Sequence, residues 1–273
     1  MSKSIAPFFL RLVTPFFHAS DIHKLTPAPR VVFILSTGRT GTKYIGDLLN
    51  QLPGVVSVQE PRPSRVLQAW TSAFLESKVS RDVMANVLYN KRVKLLGHPR
   101  GNLYVESNHF IDGFIDVLPE VFDNPIVIHI VRDPRTFVPS MINRGNDHGW
   151  KLLINKYVPF FAYAPEGVKR SAMTPIERES YHWVGMNRVL ADYGAKHPEN
   201  YHLFKFEGIF ESKNFRELLS TIGITNEQYS QLKLDTYKNP SRYNRMPKWE
   251  EWSKADQKVL LKICGPLMKK YGY

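Results

Sequence analysis

The hydrophobic residues of the chain gather into short runs that predict strands, separated by stretches with helical spacing. Residues 31–35 and 126–131 are the two strongest runs, and both are rich in β-branched side chains. Runs of this kind are typical of strands that are buried on both faces of a parallel sheet. Weaker signals predict further strands at residues 55–58, 103–106 and 201–206.

The apolar spacing between these strands predicts helices, at residues 44–49, 64–96, 175–195, 215–222 and 254–271. Strands that alternate with helices predict an α/β fold, here a three-layer parallel sheet with helices on both faces, as in P-loop NTPases. We expect residues 31–273 to form a single domain after an N-terminal arm over residues 1–30. Ligands of such sheets bind beyond the carboxyl ends of the strands.

The N-terminal arm is apolar over residues 5–17, but Arg11 and two prolines interrupt it. It is shorter than the ~20 apolar residues that a membrane span needs, and no clear cleavage site for a signal peptide follows it. Three interpretations stay open: an arm packed on the domain, a flap on the substrate side, or an anchor that makes weak contact with a membrane surface. No later segment is predicted to span a membrane.

The charge balance of the chain favours anionic ligands. Its 37 Lys and Arg residues against 25 Asp and Glu residues give a net charge of +12. Nucleic acid, anionic lipid, a phosphorylated nucleotide and an acidic glycan all fit this charge. The single cysteine, Cys264, excludes an intrachain disulfide, and its apolar neighbours predict a buried residue. We expect a cytoplasmic location, because one unpaired cysteine suits a reducing compartment.

The first strand is followed by the segment 36–43, which reads STGRTGTK and leads into a predicted helix. A turn between a buried strand and a helix presents free N–H groups at the positive end of the helix dipole, a geometry that binds phosphate. Gly38 and Gly41 allow the backbone to bend tightly around an anion. Thr40 and Thr42 add hydroxyl donors, and Arg39 adds a permanent positive charge.

This loop is not a Walker A sequence. Walker A requires a Gly-Lys-Ser/Thr ending four residues after a first glycine. Here Thr42 separates Gly41 from Lys43, so the lysine and hydroxyl pair that serves the β- and γ-phosphates and Mg²⁺ is missing. The loop therefore argues against an enzyme that hydrolyses ATP or GTP and for a nucleotide that is used differently.

The segment 38–42, Gly-Arg-Thr-Gly-Thr, resembles the 5′-phosphosulfate loop of the sulfotransferase family. The cofactor of that family is 3′-phosphoadenosine 5′-phosphosulfate (PAPS), used without a metal, and its desulfated product is adenosine 3′,5′-bisphosphate. The resemblance implies that Arg39 contacts the sulfate and the bridging oxygen and that Tyr44 stacks on the adenine. It points to the Golgi and bacterial branch of the family rather than to the typical cytosolic enzymes.

A second segment carries the same resemblance. The strand at residues 126–131 is followed by Arg132 and, eight residues later, by Ser140, which resembles the family's clamp on the 3′-phosphate. Residues 204–209 resemble the family's strand ending in Tyr-Glu-Asp, with Gly208 in place of the Asp. The basic stretch 238–249 is similar to the family's late lid. The residues expected to bind the cofactor are Thr37, Gly38, Arg39, Thr40, Gly41, Thr42, Lys43, Tyr44, Arg132, Ser140 and Arg242.

Two residues compete for the role of catalytic base that sulfuryl transfer to a hydroxyl requires. His109 occupies nearly the place of the catalytic histidine in cytosolic sulfotransferases, although the family's assisting lysine is absent before it. Glu60 occupies the place of the catalytic glutamate in protein-tyrosine and many carbohydrate sulfotransferases. A histidine is a ready base near neutral pH, whereas a glutamate needs desolvation. We leave both open, with Arg39 as the third catalytic residue.

The resemblance implies a PAPS-dependent sulfotransferase acting on a carbohydrate or a small molecule with a hydroxyl group. The charge favours an anionic acceptor, and the aromatic residues Trp150, Tyr157, Phe160, Phe161 and Tyr163 are candidates to line its pocket. No metal site and no nucleic-acid partner are expected, and no oligomeric state is predicted. Two alternatives are a P-loop kinase-like phosphotransferase and a catalytically silent nucleotide-binding protein of the same fold.

Overall fold

The computed structural model describes residues 29–62, 79–96, 102–144, 172–234 and 246–273, with residues 67, 70–71, 73–74, 77, 163, 165 and 167–168 between them. In this part of the chain five parallel strands form one sheet in the order β2-β3-β1-β4-β5. The strands are β1 Arg30–Ser36, β2 Val55–Gln59, β3 Leu103–Ser107, β4 Ile126–Val131 and β5 Tyr201–Lys205.

Helices connect these parallel strands and cover the sheet. They are α1 Thr42–Leu49, α2 Arg81–Leu96, α3 Leu118–Val121, α4 Pro134–Ile142, α5 Pro175–Lys196, α6 Ser212–Ile222, α7 Asn226–Ser230 and α8 Lys254–Tyr271. The longest of them, α5, begins at a capping box in which Thr174 and Glu177 satisfy each other's backbone N–H groups. A 3₁₀ helix, Asp112–Val117, leads into α3.

The side chains of β1 alternate between two hydrophobic cores, although every residue in the run is apolar. Val31, Phe33 and Leu35 pack on one face with residues of α2, α3 and α5. Val32 and Ile34 pack on the other face with residues of α1 and α6. Both faces are therefore covered by helices, and the predicted three-layer α/β fold with a parallel sheet is confirmed.

The predicted elements agree closely with the observed ones where the apolar pattern is strong. The strand at 126–131 and the helix at 254–271 have the predicted bounds, β2, β3 and β5 each differ by one residue at one end, and β1 is one residue longer at both ends. The short helices α3 and α7 were not predicted, because four or five residues are too few to show a helical period. Cys264 is buried as predicted, and burial raises the pKa of its thiol to about 12.

The N-terminal arm lies outside the described residues, apart from its last two positions. Among the described helices, none combines the length and the apolar character that crossing a bilayer requires.

Candidate functional site

The loop between β1 and α1 folds back on itself through left-handed backbone conformations. The φ angles of Gly38, Arg39 and Gly41 are 88°, 59° and 72°. Ser36 stabilises the turn, since its Oγ accepts from the N–H of Gly38 at 3.1 Å and lies 2.7 Å from the Oγ1 of Thr40. A non-glycine residue in this conformation stores about 1–3 kcal/mol of strain, so Arg39 is held in place by its surroundings.

The first turn of α1 has N–H groups without a capping side chain. Its N-cap residue is Gly41, which has no side chain to cap the helix, and the first turn contains no acidic residue. Side chains cap four other helices, Asp133 on α4, Thr174 on α5, Thr225 on α7 and Ser253 on α8, whereas α6 has no side-chain cap either. Because uncapped N–H groups at a helix start attract anions, α1 fits the predicted phosphate site.

The polar side chains of the loop divide between its interior and its outside. The hydroxyl of Thr37 is buried and has no hydrogen-bond partner in the described part of the chain. The hydroxyl of Thr40 is hydrogen-bonded to that of Ser36, and Thr42 is the first residue of α1. Lys43, which we expected to bind the cofactor, forms an exposed ion pair with Asp47 at 2.5 Å on the outer side of α1.

The second predicted motif lies against the first through Arg39. The Nε of Arg39 donates to the Oγ of Ser140 at 3.0 Å. The Nη1 of Arg132 donates to the backbone carbonyl of Arg39 at 2.5 Å, and its Nε donates to the Oγ1 of Thr136 at 3.0 Å. Ser140 and Arg132 are thus connected by way of Arg39, which the spacing of eight residues did not predict.

Arg132 is a partly desolvated cation at the end of β4. Burial lowers the pKa of its guanidinium to about 10, against the opposing charge of Glu207, so it stays protonated at neutral pH. The guanidinium lies 4.6 Å from the ring centroid of Phe206. Glu207 is already occupied by the N–H of Asp133 and the hydroxyl of Tyr273, each within hydrogen-bond distance. A bound phosphate would add charge-assisted hydrogen bonds to Arg132.

Glu60 and His109, the two competing candidates for the base, are in direct contact. They follow β2 and β3, and the pairing of Gln59 with Ser107 brings them side by side. The Oε1 of Glu60 lies 3.0 Å from the Nδ1 of His109, with side-chain exposures of 28% and 7%. Glu60 has a φ of 44° and donates its N–H to the carbonyl of Ser107 at 2.9 Å.

This contact assigns the proton on the imidazole. A carboxylate only accepts hydrogen bonds, so the Nδ1 of His109 carries the hydrogen and donates it to Glu60. The lone pair of a neutral imidazole then lies on Nε2, which forms no hydrogen bond to the described residues. A glutamate on Nδ1 also stabilises the imidazolium that forms when Nε2 takes up a proton.

His109 also lies beside the loop between β1 and α1, residues 37–41, which is called the phosphate loop below after its predicted role. A Cβ atom placed on Gly38 would be 4.0 Å from the Cγ and the Nδ1 of His109. A side chain at position 38 would thus be in ordinary van der Waals contact with the imidazole, and the φ of 88° is the reason that glycine suits this position. A group bound in the loop would lie within reach of the pair formed by Glu60 and His109.

Aromatic side chains line the start of α1. The rings of Tyr44 and Phe210 are 5.6 Å apart in an edge-to-face arrangement, and Phe206 lies 6.2 Å from Phe210. Phe210 is 41% exposed and approaches Gly41 so closely that a Cβ there would be 2.5 Å from its Cζ. The sequence analysis missed Phe210, although its place after β5, close to the family-like segment 204–209, was a usable signal.

Part of the predicted site lies outside the described residues, including Arg242 and the aromatic residues Trp150, Tyr157, Phe160 and Phe161. Tyr163 is described, and its hydroxyl donates to the carboxyl of Asp112. Burial raises the pKa of Asp112, while the hydrogen bond from Tyr163 opposes this effect. Among the described residues, no cluster of His, Cys, Asp and Glu side chains has the geometry to hold a metal ion.

Known proteins resemble the chain in structure but not detectably in sequence. No protein-family model and no curated protein matches it. A sulfotransferase domain from the curacin biosynthetic pathway superposes with a TM-score of 0.51 and 13% identity, over 92% of this chain and 99% of that domain. A sulfotransferase from Alicyclobacillus acidocaldarius also superposes with a TM-score of 0.51, at 12% identity, over 88% of this chain and 92% of that protein. At these identities the likeness shows that the chain shares the fold of these two proteins.

Proposed function

We propose that the chain is a sulfotransferase that moves a sulfuryl group from PAPS to a hydroxyl group of its acceptor. The observation that carries this proposal is the position of the hydrogen-bonded Glu60–His109 pair beside the turn at Gly38. This arrangement places a base beside a loop that is suited to bind an anion and that lacks the lysine and hydroxyl pair of Walker A. The fold shared with two sulfotransferases supports the same function.

The described residues fit a nucleotide with two phosphate-bearing ends. The uncapped start of α1 and the Arg39 side chain are suited to the 5′ end, where the sulfuryl group is carried. Arg132, whose charge is partly desolvated, and Ser140 are suited to the 3′-phosphate. Phe210, half-exposed beside Tyr44, offers an aromatic surface on which the adenine stacks.

In the proposed reaction, His109 accepts the proton of the acceptor hydroxyl at Nε2. The acceptor oxygen forms a bond to sulfur while the bond between sulfur and the 5′-phosphate oxygen breaks. The electron pair of the broken bond stays on the phosphate oxygen. Arg39 and the N–H groups of α1 stabilise the charge that develops on this leaving group. Glu60 stabilises the imidazolium through Nδ1, and the products are a sulfate ester and adenosine 3′,5′-bisphosphate.

The acceptor is proposed only as a class, a carbohydrate or a small molecule with a free hydroxyl. The net charge of +12 exceeds what one nucleotide site explains and favours an acceptor with negative charge. A screen is therefore best arranged by charge, with acidic oligosaccharides, neutral sugars and phenols as three sets.

The experiment that tests the function is transfer of radiolabelled sulfate from PAPS to this acceptor panel in buffer with EDTA. We expect a labelled sulfate ester with at least one set and a strong loss of transfer in His109→Ala. If the protein binds PAPS but labels no acceptor, it is a catalytically silent nucleotide-binding protein. If transfer persists in the double variant Glu60→Gln with His109→Ala, the catalytic pair has been assigned wrongly.

A further inference from the structure

A buried ion pair lies close to His109 in the chain and connects α2 to β3. Arg92 and Glu106 both have side-chain exposures of 0%. The Nε of Arg92 donates to Oε2 of Glu106 at 2.6 Å, and its Nη2 donates to Oε1 at 2.7 Å. The hydroxyl of Tyr104 adds a third hydrogen bond to Oε2 at 2.8 Å. Burying a charge in an apolar core is unfavourable unless the charge is fully paired. The carboxylate of Glu106 meets this condition, because Arg92 and Tyr104 donate to both of its oxygens.

Asn108 extends this ion pair to the loop that carries His109. Its Nδ2 donates to the Oε1 of Glu106 at 2.9 Å, so Glu106 accepts four hydrogen bonds in all. Its Oδ1 accepts from the backbone N–H of Phe110 at 3.0 Å. The second hydrogen bond closes an Asx turn around His109. Both polar atoms of the Asn108 side chain are therefore used, and the residue is only 2% exposed.

The Asx turn matters because His109 has two close neighbours on different elements. Its Nδ1 lies 3.0 Å from Glu60, which follows β2, and its ring lies 4.0 Å from the Cβ position of Gly38, which follows β1. A small rotation of the backbone at residue 109 would break the contact with Glu60 and change the distance of the imidazole from the turn at Gly38. Catalysis is sensitive to displacements of about 1 Å, which lower rates by up to roughly 100-fold.

We propose that Asn108 is a positioning residue, anchored by the Arg92–Glu106 pair, that holds His109 in line with Glu60 and the phosphate loop. The proposal rests on the proposed function, since it takes His109 to be the catalytic base. Asn108 acts through His109 and does not itself touch the reacting atoms. The ion pair serves this role because its charges fix the orientation of the Asn108 amide.

The variant Asn108→Ala tests the proposal, because it removes both hydrogen bonds of Asn108 while the Arg92–Glu106 pair stays intact. Asn50→Ala is a matched control. The Asn50 amide also donates to one carbonyl and accepts from one N–H, both of Ser57, beyond the end of α1 that is distant from the phosphate loop. Should Asn108→Ala fail to fold, Asn108→Ser keeps an acceptor for Phe110 and gives the same comparison with a smaller effect.

We expect Asn108→Ala to lower kcat roughly 10- to 100-fold, with the Kd of adenosine 3′,5′-bisphosphate within about twofold of wild type. In the ligand-free protein, diethyl pyrocarbonate labelling of His109, followed by peptide mass spectrometry, should rise several-fold. Asn50→Ala should change neither kcat nor the labelling of His109. Combining Asn108→Ala with His109→Ala should give the same kcat as His109→Ala alone, because the two changes act on one group.

Three results would overturn the proposal: an unchanged kcat, additive losses in the double variant, or equal losses of nucleotide binding in both asparagine variants. The labelling measurement separates this proposal from the proposed function. If wild-type protein transfers no sulfate, the function fails, while the labelling of His109 still shows whether Asn108 holds the imidazole. If wild-type protein is active and neither labelling nor kcat responds, only the positioning role fails.

Discussion

Two buried histidines near the carboxyl edge of the sheet differ in what their ring nitrogens contact. His129 of β4 is 0% exposed and uses both nitrogens, with the Oδ1 of Asn187 at 2.7 Å from Nε2 and the hydroxyl of Tyr201 at 2.6 Å from Nδ1. His109 is 8% exposed and uses Nδ1 for Glu60. Burial alone therefore does not identify a functional histidine. What distinguishes His109 is that its Nε2 forms no hydrogen bond within the described part of the chain, as the proposed base requires.

The surroundings of His129 fix its tautomer and its charge. The amide of Asn187 donates to the carbonyl of Trp183 at 2.6 Å, so its Oδ1 accepts from the Nε2–H of His129. The Nδ1 then accepts from Tyr201. Burial lowers the pKa of His129 to about 4, against the opposing hydrogen bond to Asn187. His129 is neutral at physiological pH and holds β4, β5 and α5 together.

The largest expected effect separates the two histidines by activity. We expect His109→Ala to lower kcat about 10²- to 10⁴-fold, the usual contribution of a general base, with little change in melting temperature or in the Kd of adenosine 3′,5′-bisphosphate. His129→Gln should do the opposite, with a lower melting temperature and kcat within a few-fold of wild type. Steady-state kinetics and thermal unfolding of both variants check this, and the reverse pattern would contradict the comparison.

The second effect is a pH dependence of stability that comes from His129. Its pKa is about 4 when folded and about 6.5 when unfolded, so between these values the unfolded chain binds a proton that the folded chain does not. The free energy of unfolding should therefore fall as the pH is lowered from 6.5 to 4, by about 3 kcal/mol from this residue. Urea unfolding at several pH values should show a shallower fall in His129→Gln. If the free energy of unfolding fell equally steeply with pH in wild type and His129→Gln, a buried neutral His129 would be contradicted.

A third, smaller effect concerns the partner of His109. Glu60→Gln keeps an oxygen that accepts from Nδ1 but removes the negative charge that stabilises the imidazolium. We expect kcat to fall about tenfold, which corresponds to about 1.4 kcal/mol and to the difference between a charged and a neutral hydrogen bond. Kinetics with PAPS at saturation check this. A loss as large as that of His109→Ala would identify Glu60 as the base instead.

The smallest effect concerns the partner of His129. Tyr201→Phe removes the hydroxyl that donates to Nδ1 and leaves a buried acceptor without its hydrogen bond. We expect the free energy of unfolding to fall by about 1 kcal/mol, with kcat unchanged. Urea unfolding and the transfer assay measure the two quantities. A loss of activity without a loss of stability would connect His129 to the site after all.

The sequence predicted the sheet well and the contacts within the site only in part. The strands β1 and β4 are rich in apolar, β-branched residues, interrupted in β4 only by His129, so their positions follow from the hydrophobic pattern alone. Glu60 and His109 were both singled out, but as competitors, because their contact depends on the register of β2 against β3. That register, which aligns Gln59 with Ser107, is set by packing across the sheet and leaves no local signal.

The contacts that the sequence analysis missed involve side chains that reach across elements. The resemblance implied that Arg132 and Ser140 clamp one phosphate, and it gave no sign that Ser140 also binds Arg39, whose long side chain reaches α4 from the loop. Arg92 lies in a mixed helical stretch, where an arginine is ordinarily exposed, and its burial depends on Glu106 in a strand. Such pairs are visible only after the chain has folded.

The most direct measurement of the central claim is the thermal stabilisation of the protein by adenosine 3′,5′-bisphosphate in EDTA. We expect a rise in melting temperature that grows with ligand concentration, is weaker for adenosine 5′-monophosphate and is reduced in Arg132→Ala, because a lost phosphate contact weakens binding. Stabilisation by ATP with Mg²⁺ and none by adenosine 3′,5′-bisphosphate would contradict the account and favour a kinase-like phosphotransferase.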